Sequence, residues 1–323
     1  MSERLEAYRY WQELRAEARH MNKLSGYGFS VCSMHDQDGM LDEIFRRIET
    51  KSKRFIEFGC GEGMQNNTLY RLSYLGWKGL WIDGDAEVIE GAAKRSEYYN
   101  NRDDLDIMHE LVDRDNIDKI ISDYSKDDLD YDLLVIDVDW NDSYIWEAIE
   151  CIEPRVICIE YNSAIPYDVD LRVPYNKDTQ YSCWNGASFY GSSLLSLNEI
   201  ATKKGYSLVG CSLAGSDAFF VRDGYVKSIV EKSGNTMYVK PMWFGVGRIS
   251  HLFEPSRFDL CFNLGHQSHP WSNVALMDHS KRTLKKNEEE RLAKEKFDLC
   301  FNKEKEKKTK ILPATIDTKG PKI

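Results

Sequence analysis

The residues best suited to chemistry fall in three short stretches. The first is Glu57-Phe58-Gly59-Cys60-Gly61-Glu62-Gly63, which follows the apolar run Phe55 to Phe58. Glycines at 59, 61 and 63 let the backbone turn sharply and approach a ligand with no Cβ in the way. A helix starting just beyond them turns its free N–H groups toward negative charge. The spacing is G-x-G-x-G, and Met64 stands where the dinucleotide fingerprint G-x-G-x-x-G has its third glycine. Asp83 lies twenty residues past Gly63, at the end of a second apolar run. A carboxylate there accepts hydrogen bonds from both hydroxyls of a ribose. The second stretch is Asp137-Val138-Asp139-Trp140-Asn141-Asp142, three carboxylates within six residues, with Glu160-Tyr161-Asn162 ending the next apolar run. Oxygens converging from two strands can hold a hard cation such as Mg²⁺. They can also bind an ammonium group, or take a proton from an attacking hydroxyl. Asn141 or Asp142 is further expected to cap the helix that follows. The third stretch, Trp184 to Ser193, mixes aromatics, glycines and hydroxyls. It reads equally as the lining of an acceptor pocket or as a turn with rings packed on the sheet.

Such residues need strands that end at a common edge, and the hydrophobic pattern supplies them. Strands are predicted at 55–58, 79–82, 106–112, 133–136 and 156–159. Helices are predicted at 39–48, 68–75, 86–99, 116–121, 143–149 and 192–204, with Gly76 and Gly205 as C-terminal stops and Asp85 as an N-cap. Strands alternating with helices predict a mostly parallel α/β sheet covered on both faces. The last two strands, 207–211 and 218–221, are separated by six residues, too few for a crossover, so they should pair antiparallel. The chain therefore reads as a Rossmann-like domain over residues 31–225. A helical extension precedes it (1–30, with Leu5, Tyr8, Trp11 and Leu14 on one stripe), and an accessory segment (226–280) and a charged tail (281–323) follow. The hexapeptide FDLCFN occurs at Phe258 to Asn263 and again at Phe297 to Asn302. Two copies do not make a repeat architecture.

With 42% hydrophobic and 30% charged residues, the 323-residue chain is composed like an ordinary globular protein. No apolar run is long enough to span a membrane, and Met1 to His20 lacks the core of a secretory signal. Eight cysteines are scattered without a C-x-x-C pair, which fits a reducing compartment, so a cytoplasmic protein is expected. Cys261, His266, His269 and His279 gather loosely and read as surface groups of a loop rather than a metal site. The net charge of −10 argues against general nucleic-acid binding. Residues from Ser280 onward carry 14 Lys/Arg against 8 Asp/Glu, the composition of a solvated helix or an open tail.

Taken together, these pieces resemble the FkbM-type methyltransferases, a branch of the class I S-adenosylmethionine-dependent fold. The matching runs are 35–39, 55–63, 76–83, 132–142, 154–162, 205–211 and 217–222. They extend over about six tenths of the chain. The resemblance implies methyl transfer from S-adenosylmethionine, usually to a hydroxyl of a sugar or another small metabolite. By position it implies that Glu57, Gly59, Gly61 and Gly63 cradle the methionine end, Asp83 holds the ribose and Val112 lies near the adenine. Asp137 aligns with the metal-binding aspartate of catechol O-methyltransferase, whose other ligands follow strand five as Glu160 and Asn162 do here. Asp137, Asp139, Asp142, Glu160 and Asn162 are thus the candidate catalytic set. Trp140 departs from the family's glycine in D-x-D-G-N-D, and nothing beyond residue 225 has a family counterpart. Two other readings stand beside it. One is an NAD(P)-dependent oxidoreductase; the other is an inactive Rossmann-like module that binds a partner through its tail.

Overall fold

The computed structural model describes residues 3–20, 22–163, 165, 169–177 and 190–233. The FDLCFN copies, the Cys261/His266/His269/His279 group, most of the Trp184 to Ser193 stretch and the charged tail lie outside them. Helix α1 (Glu3–His20) leads through a short 3-10 turn at Leu24–Tyr27 into α2 (Gln37–Ile48). The sheet then builds in order: β1 (Arg54–Phe58), α3 (Leu69–Leu75), β2 (Lys78–Asp83), α4 (Ala86–Ser96), β3 (Leu105–His109) and α5 (Ile117–Ser125). It continues with β4 (Leu133–Ile136), α6 (Asp142–Ala148), β5 (Val156–Glu160), α7 (Leu194–Lys204), β6 (Tyr206–Cys211), β7 (Asp217–Arg222) and α8 (Asp223–Ser233).

The seven strands run in the order β3-β2-β1-β4-β5-β7-β6. The first five are parallel, and β7 pairs antiparallel with both β5 and β6. This is the expected Rossmann-like, mostly parallel sheet closed by an antiparallel hairpin, with the reversed strand inserted beside β5. Alternation along the strands divides the core. Ile56, Phe58, Leu134, Ile136, Ile157 and Ile159 face one side, with α5, α6 and α7. Phe55, Trp81, Leu133, Val135, Val156 and Cys158 face the other, with α2, α3 and the buried Ile229 of α8. Strands buried on both faces read as continuous apolar runs, as Leu133 to Ile136 does.

Local signals hold where they are stereochemical. Gly76 and Gly205 end α3 and α7 in the left-handed conformation, at φ 67° and 77°. Asp85 caps α4 by accepting from the N–H groups of Glu87 and Val88. Four expectations shift, the first being α5, which runs to Ser125 instead of ending at Ile121. Strand β3 stops at His109 instead of running to Val112, and α4 stops at Ser96 instead of Tyr99. The chain after Gly224, where the pattern fades, is helical as far as Ser233. No helix among the described residues is long and apolar enough to cross a membrane, and no disulfide joins Cys32, Cys60, Cys151, Cys158 and Cys211 to one another.

Candidate active site

At the carboxyl edge of β1, β2, β3 and β4 the loops enclose a cleft of about 640 Å³, at the position where open α/β sheets bind ligands. Its first wall is the glycine turn. Gly59, Gly61 and Gly63 all have positive φ (70°, 56° and 75°), a conformation that costs other residues about 1–2 kcal/mol. Each has its own reason. A Cβ on Gly59 would sit 1.6 Å from the carbonyl oxygen of Asp137, and one on Gly63 would sit 2.9 Å from the Trp81 ring. A Cβ on Gly61 would meet nothing within 4 Å, because this residue faces the open cleft. The Gly61 N–H donates to Asp83 Oδ2 at 2.9 Å, and Asp83 Oδ1 accepts from the N–H of Asp85 at 3.0 Å. The end of β2 is thereby fixed to the turn after β1. Each carboxylate oxygen keeps a further lone pair for a ligand.

Val112 lines the floor between Leu111 and Asp113. This segment leaves the sheet after His109 because Asn116 ties it down: its Nδ2 donates to Leu111 O, and its Oδ1 accepts from the N–H of Asp113. Asp137, Val138, Asp139 and Asn141 form the opposite wall.

Asp137, Asp139 and Glu160 each present a carboxylate oxygen, and the three oxygens lie within 4.8 Å of one another. Glu160 Oε2 is buried with no hydrogen-bond partner, as is Asp142 Oδ2. Removal from water, reinforced by Asp139 next to it, lifts the Asp137 carboxyl well above the ordinary range. Burial and then the neighbouring Asp137 do the same to Glu160. Burial pushes Asp142 up to about 7, against the opposing hydrogen bond from Val138 N–H. Like charges held together out of water resist simultaneous ionisation, so the group favours a cation or a shared proton.

Four candidate residues are placed differently from the plainest sequence reading. Glu57 is buried behind the turn. Its carboxylate accepts from the N–H groups of Asn67 (2.9 Å) and Thr68 (3.3 Å) and from the Thr68 hydroxyl, and Trp81 Nε1 donates to that hydroxyl in turn. Glu57 thus anchors the start of α3. Asn162 is buried and gives its amide N–H to Tyr190 O at 3.0 Å. Asp142 does not cap α6: its Oδ1 accepts from Val138 N–H at 2.8 Å and shapes the loop instead. Asn141, at the N-cap position of α6, makes no capping bond; its side chain reaches across to Asn176. Asn176, Lys177 and Asp113, which also line the cleft, carry no periodicity or motif that would single them out in sequence.

Burial also makes stability depend on pH. Burial lifts Glu57 from 4.5 to about 7 and Asp36, beside Leu213 N–H, from 3.8 to about 6. Between the unfolded and folded values the folded chain holds the proton that the unfolded chain has released, so stability falls as pH rises through that window. The loss for Glu57 is on the order of 3 kcal/mol between pH 4.5 and 7. The unfolding midpoint is expected to decline over this range, and Glu57→Gln to flatten the decline. Calorimetric scans with the same slope in the variant would exclude Glu57 as a source.

No protein-family model and no curated protein matches the chain. Among solved structures it is similar to an O-methyltransferase family protein from Burkholderia thailandensis, with 10% identity and a TM-score of 0.36. That alignment covers 58% of this chain and 57% of the other. It is also similar to the glycopeptide N-methyltransferase MtfA complexed with S-adenosyl-L-methionine, at 14% identity and a TM-score of 0.33. There the cover is 56% of this chain and 86% of the other. A third similarity is to the CurJ carbon methyltransferase, at 12% identity and a TM-score of 0.38, covering 58% of this chain and 52% of the other. The chain spans little more than half the length of the first and third.

Proposed function

We propose that this protein is a cytoplasmic S-adenosylmethionine-dependent methyltransferase acting on a hydroxyl of a sugar or another small metabolite. One observation carries the reading. The Gly61 N–H, at the tip of a G-x-G-x-G turn with open space above it, donates to Asp83 at the end of β2, on the rim of the cleft. Asp83 would take the ribose hydroxyls, Val112 the face of the adenine, and the Gly59 and Gly61 turn the methionine end. Glu57 and Gly63 support that turn from behind. The reversed β7 and the glycine spacing weigh against an NAD(P)-dependent oxidoreductase.

The chemistry is an in-line displacement at the methyl carbon. As the acceptor oxygen forms its bond to that carbon, the carbon–sulfur bond breaks and its electron pair stays on sulfur. The sulfonium needs little help to leave, so the protein's contribution is to align the acceptor and exclude water. Asp139, at the inner wall, takes the hydroxyl proton. Asp137 and Glu160 each place a carboxylate oxygen within 4.8 Å of one on Asp139.

The oxygen-only donors Asp137, Asp139 and Glu160, with the unpartnered Glu160 Oε2, fit a divalent cation such as Mg²⁺. A bound ion there would engage Asp139 and acidify the acceptor hydroxyl in place of that base. Asn162, committed to Tyr190 O through its amide N–H, supports this set from behind.

Calorimetric titration with S-adenosylmethionine, S-adenosylhomocysteine and NAD⁺ tests the reading. Saturable binding of the two sulfur nucleosides and none of NAD⁺ is expected. Folded protein that binds neither nucleoside would overturn it.

A further inference from the structure

The segment 169–177 crosses from the end of β5 to the far side of the cleft, and its contacts form a consistent series. At its base Val173 N–H donates to Gly191 O (3.0 Å), and Leu171 and Ser193 bond each other through Ser193 N–H to Leu171 O (2.7 Å). Midway, Trp140 Nε1 donates to Pro174 O at 2.9 Å and the Tyr144 hydroxyl to Val173 O at 2.8 Å. Near its end Asn141 grips the backbone of Asn176 from both sides: its Nδ2 donates to Asn176 O, and its Oδ1 accepts from Asn176 N–H at 3.2 Å. Lys177 then reaches over to the β3 side. Its Nζ lies 2.8 Å from Asp115 Oδ2 and 3.3 Å from Asp113 Oδ2. Arg114, between those two aspartates, lies with its guanidinium 3.9 Å above the Tyr175 ring.

The loops after β3 and β4 are therefore joined over the part of the cleft floored by Val112. Three hydrogen-bonded anchors lie on the β4 side; on the β3 side Lys177 pairs with Asp115 and Asp113, and Arg114 lies over Tyr175. Trp140, the departure from D-x-D-G-N-D, has a structural use here: its indole N–H fixes the strap where a glycine could not.

We infer that segment 169–177 is a nucleoside-retaining strap, with Asn176 and Lys177 as binding residues of the cofactor site and Lys177 as its releasable latch. The inference rests on the cleft's holding an adenine nucleoside, as proposed above. Ion pairs as exposed as Lys177 with Asp115 are weak and are screened by salt. The latch should therefore open easily while the anchors at Trp140, Tyr144 and Asn141 hold.

Stopped-flow displacement of bound ligand from the full chain tests this. Lys177→Ala is expected to speed release of S-adenosylhomocysteine about two- to fivefold. It should speed release of 5′-methylthioadenosine by the same factor, because the strap acts on the nucleoside and not on the amino-acid end. Lys177→Arg should restore slow release. Added salt should accelerate the wild type but not Lys177→Ala, and Asp115→Ala should add nothing to Lys177→Ala. Unchanged release in Lys177→Ala, or additive effects of the two substitutions, would overturn the strap alone. A wild type that binds neither nucleoside would overturn the cofactor reading and the strap with it.

Discussion

Gly61→Arg is expected to abolish binding of both S-adenosylmethionine and S-adenosylhomocysteine, weakening each by about a hundredfold or more, in protein that still folds. The reason is geometric. Gly61 has φ 56°, so arginine there pays the left-handed penalty of about 1–2 kcal/mol, tolerable for a domain of this size. Its Cβ meets no atom within 4 Å and projects the side chain into the cleft, where the ligand would lie. Gly59→Ala offers the contrast: its Cβ would sit 1.6 Å from the Asp137 carbonyl oxygen, a backbone atom that cannot step aside. That variant should lose the native arrangement of both loops. Calorimetry paired with circular dichroism separates the two cases. A folded Gly61→Arg protein that binds at wild-type strength would show that the ligand lies elsewhere.

Asp139→Asn is expected to lower turnover by about 10²- to 10⁴-fold, the usual worth of a positioned base, while leaving cofactor affinity nearly unchanged. Asp139 holds φ 66°, unusual outside glycine, and asparagine adopts that conformation as readily as aspartate. The substitution thus removes the proton acceptor and keeps the backbone. Single-turnover rates and equilibrium binding on the same preparation give the comparison. Unchanged turnover removes Asp139 from the mechanism. Loss of binding equal to the loss of rate would make it a ligand for the cofactor instead.

Fold and site were legible to different depths. Strands buried on both faces announce themselves as apolar runs, so β4 falls at Leu133 to Ile136 as expected. The antiparallel end follows from a six-residue link that admits no crossover. The glycine turn and Asp83 were readable because their conformation and spacing are local properties. What was hidden depends on tertiary partners. Helix α8 carries Gly224 near its start and owes its place to packing on α2, where Arg47 Nη1 donates to Ile229 O at 3.4 Å. Strand β3 was overestimated because Asn116, three residues after Asp113, draws the chain out of the sheet. The role of Glu57 was ambiguous for a similar reason. Only the fold shows that its carboxylate is spent on Asn67 and Thr68. Segment 169–177 has no periodic pattern, and its partners at Asp113, Asp115, Trp140 and Asn141 lie tens of residues away in sequence.

If the cleft takes a sulfonium cofactor, as proposed, the crowding of Asp142 and Glu160 against the cleft-lining Asp137 and Asp139 bears on the order of events in a catalytic cycle. The methyl donor arrives with a positive sulfur and departs as a neutral thioether. Negative groups near that sulfur hold the charged form and give the uncharged one no comparable attraction. Each turnover would thus dissolve part of its own product's grip, and spent cofactor would compete poorly with fresh. The same attraction has a cost, because charge fades from sulfur as the methyl group moves, so too strong a field would slow the step it prepares. A proton shared among these carboxyls is one means of keeping that field moderate.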